Sequence, residues 1–346
     1  MAVEFVAIVR RVLERRSLEE AQAFEAMEAI AEGEVPEPLL AAFLAAFEAK
    51  GPEGEELAGF ARSLRPRASR VEAPAGAVDT CGTGGDGADT FNVSTVAAFV
   101  VAGCGVPVAK HGNRSASGRC GSADVLERLG VPVDLDAEAA ASRLRRDCFA
   151  FLFAPKFHPA LARVAPLRRA LGFRTIFNLL GPLLNPARVT RQVLGVPRAD
   201  LVERVALALA RLGVERAFVV HGGCGIDELS PAGGNVIREV RDGRPFPVRC
   251  EARELGLEPA IFEALRGGDA THNAALARAV LSGEKGARRD TILLNASAAL
   301  VAAGAARDFA EGIGIARASI DEGRAGAVLE RARTAVPGPP ALQGSR

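Results

Sequence analysis

Asp79-Thr-Cys-Gly-Thr-Gly-Gly-Asp86, followed at once by Thr90-Phe-Asn-Val-Ser-Thr95, is the stretch on which the reading of this chain turns. Apolar Ala77 and Val78 precede it, as the end of a strand would. Ser94-Thr-Val-Ala-Ala-Phe-Val-Val101 follows, as the start of a buried helix would. A strand, a glycine-rich turn and a helix N-terminus present a row of backbone N–H groups to an anion. Glycines let the backbone approach phosphate oxygens closely. Asn92, Ser94 and Thr95 add side-chain donors where the first helical N–H groups are unpaired. No Gly-Lys-Ser/Thr follows at Walker spacing, and the glycine spacing is not that of the dinucleotide fingerprint. A turn that merely caps a helix is the competing reading of this segment alone.

Three further clusters sit in the same kind of place. Lys110-His-Gly-Asn-Arg-Ser-Ala-Ser-Gly-Arg-Cys-Gly-Ser-Ala-Asp124 follows one strand signal and precedes a helix, so on a parallel sheet it shares an edge with the first loop. Its lysine, arginines, serines and glycines have the composition of a phosphate cradle. His158, Arg168 and Gly172-Phe-Arg-Thr-Ile-Phe-Asn178-Leu-Leu-Gly-Pro182 form a third group. Arg168 is a candidate clamp for a carboxylate, and Arg169 reads as a solvated neighbour. His221-Gly-Gly-Cys-Gly-Ile-Asp227-Glu228 comes after another strand. Its adjacent carboxylates project differently, which suits two contacts to hydrated magnesium, although a solvated acidic turn has the same composition. Together the clusters call for a substrate with phosphates, a divalent cation and a carboxylate.

Along the chain, residues 1–66 read as helices only, with Val3, Val6, Val9, Val12 and Leu13 near helical spacing. Ser17-Leu-Glu-Glu20 has a capping-box pattern, and Pro38 opens a helix that Gly51 stops. Arg65-Pro66-Arg67 reads as a linker. Beyond it strands and helices alternate: Val106–Ala109, Phe149–Phe153, Ala217–Val220 and Thr291–Leu294 as strands, and Ala123–Leu129 as a helix. The fold class is therefore α/β: a small all-helical domain (1–66, joined by helices from about 155–185) and a larger domain (67–335) with a mostly parallel sheet, then a flexible tail (336–346).

Composition narrows the function classes. Of 346 residues, 49% are hydrophobic and 25% charged, and the net charge of +1 offers no global field toward nucleic acid or a membrane. Glu4 and Arg10-Arg11 interrupt the first apolar residues and no apolar run reaches membrane-span length, so the expected location is cytoplasmic. Six cysteines make no zinc pattern and read as free thiols. Only Lys50, Lys110, Lys156 and Lys285 are lysines, which singles out Lys110 inside its Gly/His/Asn cluster. With no Trp or Tyr, aromatic packing falls to Phe.

On Gly82-Thr-Gly-Gly-Asp86, Asn92-Val-Ser-Thr95, Lys110-His-Gly-Asn-Arg114, Gly121-Ser-Ala-Asp124, Arg174–Pro182 and Asp227-Glu228, the chain resembles the anthranilate phosphoribosyltransferases of tryptophan biosynthesis. The resemblance spans about residues 1–335. It implies a hinge-sited cleft, a homodimer joined through the helical domains, Mg2+ as cofactor, and transfer of phosphoribosyl from phosphoribosyl pyrophosphate (PRPP) to anthranilate. It places Gly82, Asn113 and Arg168 on anthranilate. On PRPP it places Gly82, Gly85, Asp86, Thr90, Asn92, Val93, Ser94, Thr95, Lys110, His111, Gly112, Asn113, Arg114, Ser115, Ala116, Ser117, Gly118 and Ser122. Ser94, Asp227 and Glu228 would hold the metal, and His158 and Gly181 would line the pocket. No general base is assigned. Gly118 and Cys120 depart from serines frequent in the family, and Cys120 receives no ligand role. The alternatives are a pyrimidine nucleoside phosphorylase and a non-catalytic nucleic-acid-binding relative of the same fold.

Overall fold

The computed structural model describes residues 2–115 and 118–334. Ala116, Ser117 and the tail at 336–346 lie outside the described residues. Four helices come first: α1 (Ala2–Leu13), α2 (Glu20–Glu32), α3 (Glu37–Lys50) and α4 (Gly54–Leu64). In α1 the buried stripe is Phe5, Val9 and Val12, one face of a 3.6-residue period, whereas Leu13, at the edge of that face, is 63% exposed. The reciprocal cap of α2 lies two residues later than its sequence pattern suggests. Glu19 is the cap residue, and its N–H donates to Gln22 Oε1 at 3.1 Å. Phe5, Phe43, Phe47 and Phe60 meet ring to ring, the aromatic packing left to phenylalanine in a chain without Trp or Tyr.

The remainder runs β1 (Val78–Gly82), α5 (Val93–Gly103), β2 (Val108–Gly112), α6 (Ser122–Leu129), α7 (Ala137–Asp147), β3 (Phe149–Phe153), α8 (Ala154–Phe157), α9 (Ala165–Leu171), α10 (Ile176–Leu180), β4 (Arg191–Gly195), α11 (Asp200–Arg211) and β5 (Arg216–Gly222). β6 (Asn235–Arg241), β7 (Arg244–Pro247), α12 (Ala270–Leu281), α13 (Ala287–Ala303), α14 (Phe309–Asp321) and α15 (Arg324–Arg333) complete it. The sheet order is β3-β2-β1-β4-β5-β6-β7, parallel through β5 and antiparallel at β6 and β7. A helical bundle therefore precedes an α/β domain with a mostly parallel sheet, as the sequence led us to expect.

Three local readings change. The strand expected at 106–109 starts at Val108, because Pro107 lends only its carbonyl, to Val78 N–H at 2.9 Å. Thr291–Leu294 lies inside α13, whose side chains are buried nearly all round; a short apolar run in such a helix looks like a strand. Arg65–Arg67 is a helical turn rather than an open linker. Arg65 Nε donates to Leu183 O at 2.9 Å and its Nη1 to Leu212 O at 3.3 Å, tying α4 to two later segments. Apolar residues of 155–185, among them Val164, Leu167, Ile176 and Phe177, share a core with Phe43 and Phe60. That core continues through α11 to Leu194 and Val219 of the sheet, so the bundle and one face of the sheet are one apolar body.

Candidate active site

The chain winds from β1 outward to β3, then returns to β4 beside β1. The reversal leaves a crevice beyond the carboxyl ends of the strands, the usual ligand position in such sheets. Here it is a cavity of about 640 Å³, lined by the loop after β1, the loop after β2, residues 154–184 and Asp227–Glu228. It brings together Gly82, Gly85, Asp86, Thr90, Asn92, Ser94, Thr95, Lys110, His111, Gly112, Asn113, Arg114, Ser115, Gly118, Ser122, His158, Arg168, Gly181, Asp227 and Glu228. Val93 is the described exception: its side chain is fully buried in the core under α5 and does not line the cavity. A residue in the first turn of a helix can point either way, and an apolar Val points inward.

At the metal-like end, one oxygen each from Asp86, Asp227 and Glu228 lies within 4.8 Å of the others. The two adjacent carboxylates thus converge, and Asp86 joins them, so three acceptor-only groups meet. Gly84 N–H donates to Asp227 Oδ2 at 2.7 Å, and Asp227 N–H to Asp86 Oδ2 at 3.3 Å. Burial, and next the charge of Asp86, pushes the Asp227 carboxyl up to about 6. Burial and both neighbouring carboxylates push Glu228 well above its usual range. Glu228 Oε2 is buried without a partner. Crowded carboxylates with an orphaned oxygen suit a divalent cation, which oxygen ligands hold and which removes their mutual repulsion. Asn295 of α13 fixes the turn, accepting from Leu229 N–H at 3.0 Å and donating to Leu229 O at 2.8 Å.

The phosphate-like middle is rich in donors. Lys110 is 1% exposed; its Nζ donates to Thr80 O at 2.6 Å and to Ser94 Oγ at 3.2 Å. Burial lowers its pKa, opposed first by the charge of Asp79. Thr95 Oγ1 is buried without a partner. Asn92 is spent on neighbouring chain, donating to Cys120 O at 3.2 Å and accepting from Asn273 Nδ2 at 3.0 Å. Arg114 engages Asp124 and Glu127, so its guanidinium is already neutralised. Ser122 Oγ donates to Asn113 O at 3.1 Å. The Cys120 thiol is pushed up to about 11 by burial, a neutral group as a poor ligand should be. Arg174, unassigned from sequence, donates to Gly85 O at 2.6 Å and ties 155–185 to the glycine loop.

The third end is apolar: Pro155, Leu161, Ala162, Phe177 and Pro182 around half-buried Arg168. Arg168 stacks over Phe177 at 5.4 Å and reaches Asn178 Oδ1 at 3.4 Å. Among the described residues no carboxylate pairs with it, and burial lowers its pKa. An un-neutralised guanidinium in an apolar pocket suits a planar carboxylate. Arg169 is exposed, as expected.

His111 Nδ1 lies 3.1 Å from Gly181 O, and His158 Nε2 lies 3.1 Å from His111 Nε2. A carbonyl only accepts, so His111 carries its proton on Nδ1 and His158 donates from Nε2. Burial depresses His111 to about 3, aided by His158, and burial alone depresses His158 to about 4. Folded values below the unfolded 6.5 give stability that is complete above pH 6.5 and lost as pH falls toward 4. His158→Gln is therefore expected to flatten the fall in melting temperature between pH 6.5 and 4.5. A wild-type slope in the variant would contradict the neutral pair.

This architecture and cavity define a two-domain glycosyl transferase. Residues 6–68 match the glycosyl transferase family helical bundle domain, and residues 74–326 match the glycosyl transferase family a/b domain. An anthranilate phosphoribosyltransferase of Chloroflexus aggregans is 54% identical over 93% of this chain and 95% of its own. One from Pelotomaculum thermopropionicum is 52% identical over 93% of both. Among solved structures, the anthranilate phosphoribosyltransferase of Thermus thermophilus superposes with a TM-score of 0.87 at 43% identity, covering 94% of this chain and 98% of that one. The Saccharomyces cerevisiae enzyme in complex with PRPP and Mg gives 0.85 at 28% identity, covering 95% and 97%. The chain belongs to the anthranilate phosphoribosyltransferase family.

Proposed function

We propose that this chain joins anthranilate to PRPP, releasing pyrophosphate and forming N-(5-phosphoribosyl)anthranilate for tryptophan biosynthesis. The observation that carries the reading is one cavity with three chemically distinct ends: crowded carboxylates, an amide- and lysine-rich middle, and an apolar pocket around unpaired Arg168. The Asp227-Glu228 pair argues against a nucleoside phosphorylase, and a net charge of +1 weighs against a nucleic-acid binder.

Asp86, Asp227 and Glu228, with Ser94 Oγ beside Lys110, would hold Mg2+, which when bound supplies the positive charge that steadies a departing pyrophosphate. The remaining chemistry belongs to the chain. Amides of the glycine loop and the Lys110 ammonium face the anionic leaving group. Arg168 orients the acceptor by its carboxylate, and the apolar walls hold its ring, so that the amine meets C1 of the ribose as a neighbour. The aryl amine is neutral at physiological pH and already nucleophilic; neutral His111 and His158 line its pocket without acting as acids. We place the enzyme in the cytoplasm as a homodimer through the helical domains; no described helix is long and apolar enough to cross a membrane.

Anthranilate fluorescence should fall on adding PRPP and magnesium, with matching pyrophosphate release. No decay from folded protein with ample magnesium would end this reading. Arg168→Ala is expected to raise KM for anthranilate by about tenfold or more, the worth of a charged hydrogen bond, with little change for PRPP. Equal effects on both substrates would remove Arg168 as the carboxylate clamp.

A further inference from the structure

β1 and β2 are paired at Val78 and Val108 alone, whereas β1–β4 and β2–β3 pair along five positions each. The next rung of a parallel ladder would send Thr80 N–H to Ala109 O and His111 N–H to Thr80 O. Side chains take three of those four groups. His111 N–H donates to Asp79 Oδ1 at 3.2 Å, Ala109 O accepts from Asn185 Nδ2 at 2.8 Å, and Thr80 O accepts from Lys110 Nζ at 2.6 Å. Asn185 Nδ2 also donates to Asp79 Oδ2 at 2.8 Å. The strands part where they enter the cavity, with side chains in place of the strand partners of three of these groups. Leaving buried backbone groups unpaired would be costly, so the opening depends on these side chains.

We infer that Asp79 is a positioning residue of the reaction, which with Asn185 wedges β1 from β2 and so seats Lys110 beneath the phosphate end of the cavity. Asp79 and Asn185 are buried and Asp79 does not line the cavity, so neither wall chemistry nor solubility accounts for a carboxylate there. Its charge also favours the ammonium form of Lys110, which has no ion-pair partner within reach among the described residues. Asn185 ties the wedge to the 181–185 segment, and its Oδ1 is held by Ala187 N–H at 2.8 Å, so its amide cannot turn round.

The inference rests on the reading of the cavity as a PRPP site, and the test separates the two. Asp79→Asn sets its new NH2 against either the fixed Asn185 NH2 or the His111 N–H, donor against donor. Titration calorimetry with PRPP and magnesium is expected to show about tenfold or greater loss of affinity, the size of one buried hydrogen bond turned repulsive. Steady-state assays should show the same rise in KM for PRPP, with KM for anthranilate within about twofold. A purely structural Asp79 would lower the melting temperature and both affinities together, and that result overturns the inference. Should Asp79→Asn not fold, Asn185→Leu reads the same split while keeping the carboxylate; an unchanged PRPP affinity in either folded variant also overturns it. Wild-type protein that fails to bind PRPP would instead sink the substrate reading.

Discussion

Asp227→Asn combined with Glu228→Gln is expected to cut turnover at least about 100-fold and shift the magnesium requirement upward, yet raise the melting temperature of the metal-free protein. The two effects share one cause. Folding buries Asp227 and Glu228 beside Asp86, and their pKa values rise. A carboxyl raised in the folded state contributes stability that is complete below its unfolded pKa and lost as pH rises through the folded one. For Asp227 that window runs from about 4 to about 6, and burial beside two carboxylates moves Glu228 in the same direction. At pH 7.5 without metal, an ionised Asp227 therefore destabilises the fold. Neutral amides of the same shape remove that cost and the site with it. Scanning calorimetry in a chelator should show a larger gain for the variant at pH 7.5 than at pH 5. Added magnesium should stabilise the wild type and leave the variant unmoved. A variant less stable than wild type in chelator, or an unchanged magnesium titration, would remove the pair as ligands.

What could be read from the sequence was what is local. A strand, a glycine turn and a helix announce themselves within twenty residues, and α5 and β3 stand where their residues place them, whereas β1 and β2 run on to Gly82 and Gly112, into stretches that read as loop. Arg168 could be singled out as a side chain able to clamp a carboxylate through two hydrogen bonds, and the phosphate, cation and carboxylate requirements follow from residue types. What stayed hidden was pairing across the chain. Asp86 meets Asp227 from 141 residues away, and Asp79 meets Asn185 from 106. No spacing rule joins them; only the sheet order does. Val93 and Leu13 were misplaced because they fall at the margins of helical stripes, and Thr291–Leu294 because a helix buried on all sides has no period to detect. The activity itself came from the joint specificity of several motifs, not from any one of them.

Gly195→Ala is expected to be the most damaging single methyl in the molecule. Gly195 ends β4, in register with Gly82 of β1 and Val220 of β5. A Cβ there would lie 1.4 Å from Asp227 O and 2.4 Å from Asp227 C, both backbone atoms. The strand cannot yield, because it is paired along five positions on each side and its carbonyl accepts from Thr83 N–H at 3.0 Å. The turn carrying Asp227 and Glu228 must move instead, away from Gly84 and Asp86. The expected outcome is activity below about one hundredth of wild type, a magnesium requirement that no longer saturates, and a loss of roughly 3 kcal/mol. Arg168 keeps its own contacts to Phe177 and Asn178, so the loss at the magnesium end should exceed any loss of anthranilate binding. Gly314→Ala supplies the opposite sign: it sits within α14 with nothing inside 4 Å of the new methyl, so it should stabilise by about 0.5–1 kcal/mol. Denaturant unfolding and magnesium titration of both variants decide the matter. If Gly195→Ala keeps wild-type magnesium dependence, the carboxylate turn is not held against β4 in the way its function requires.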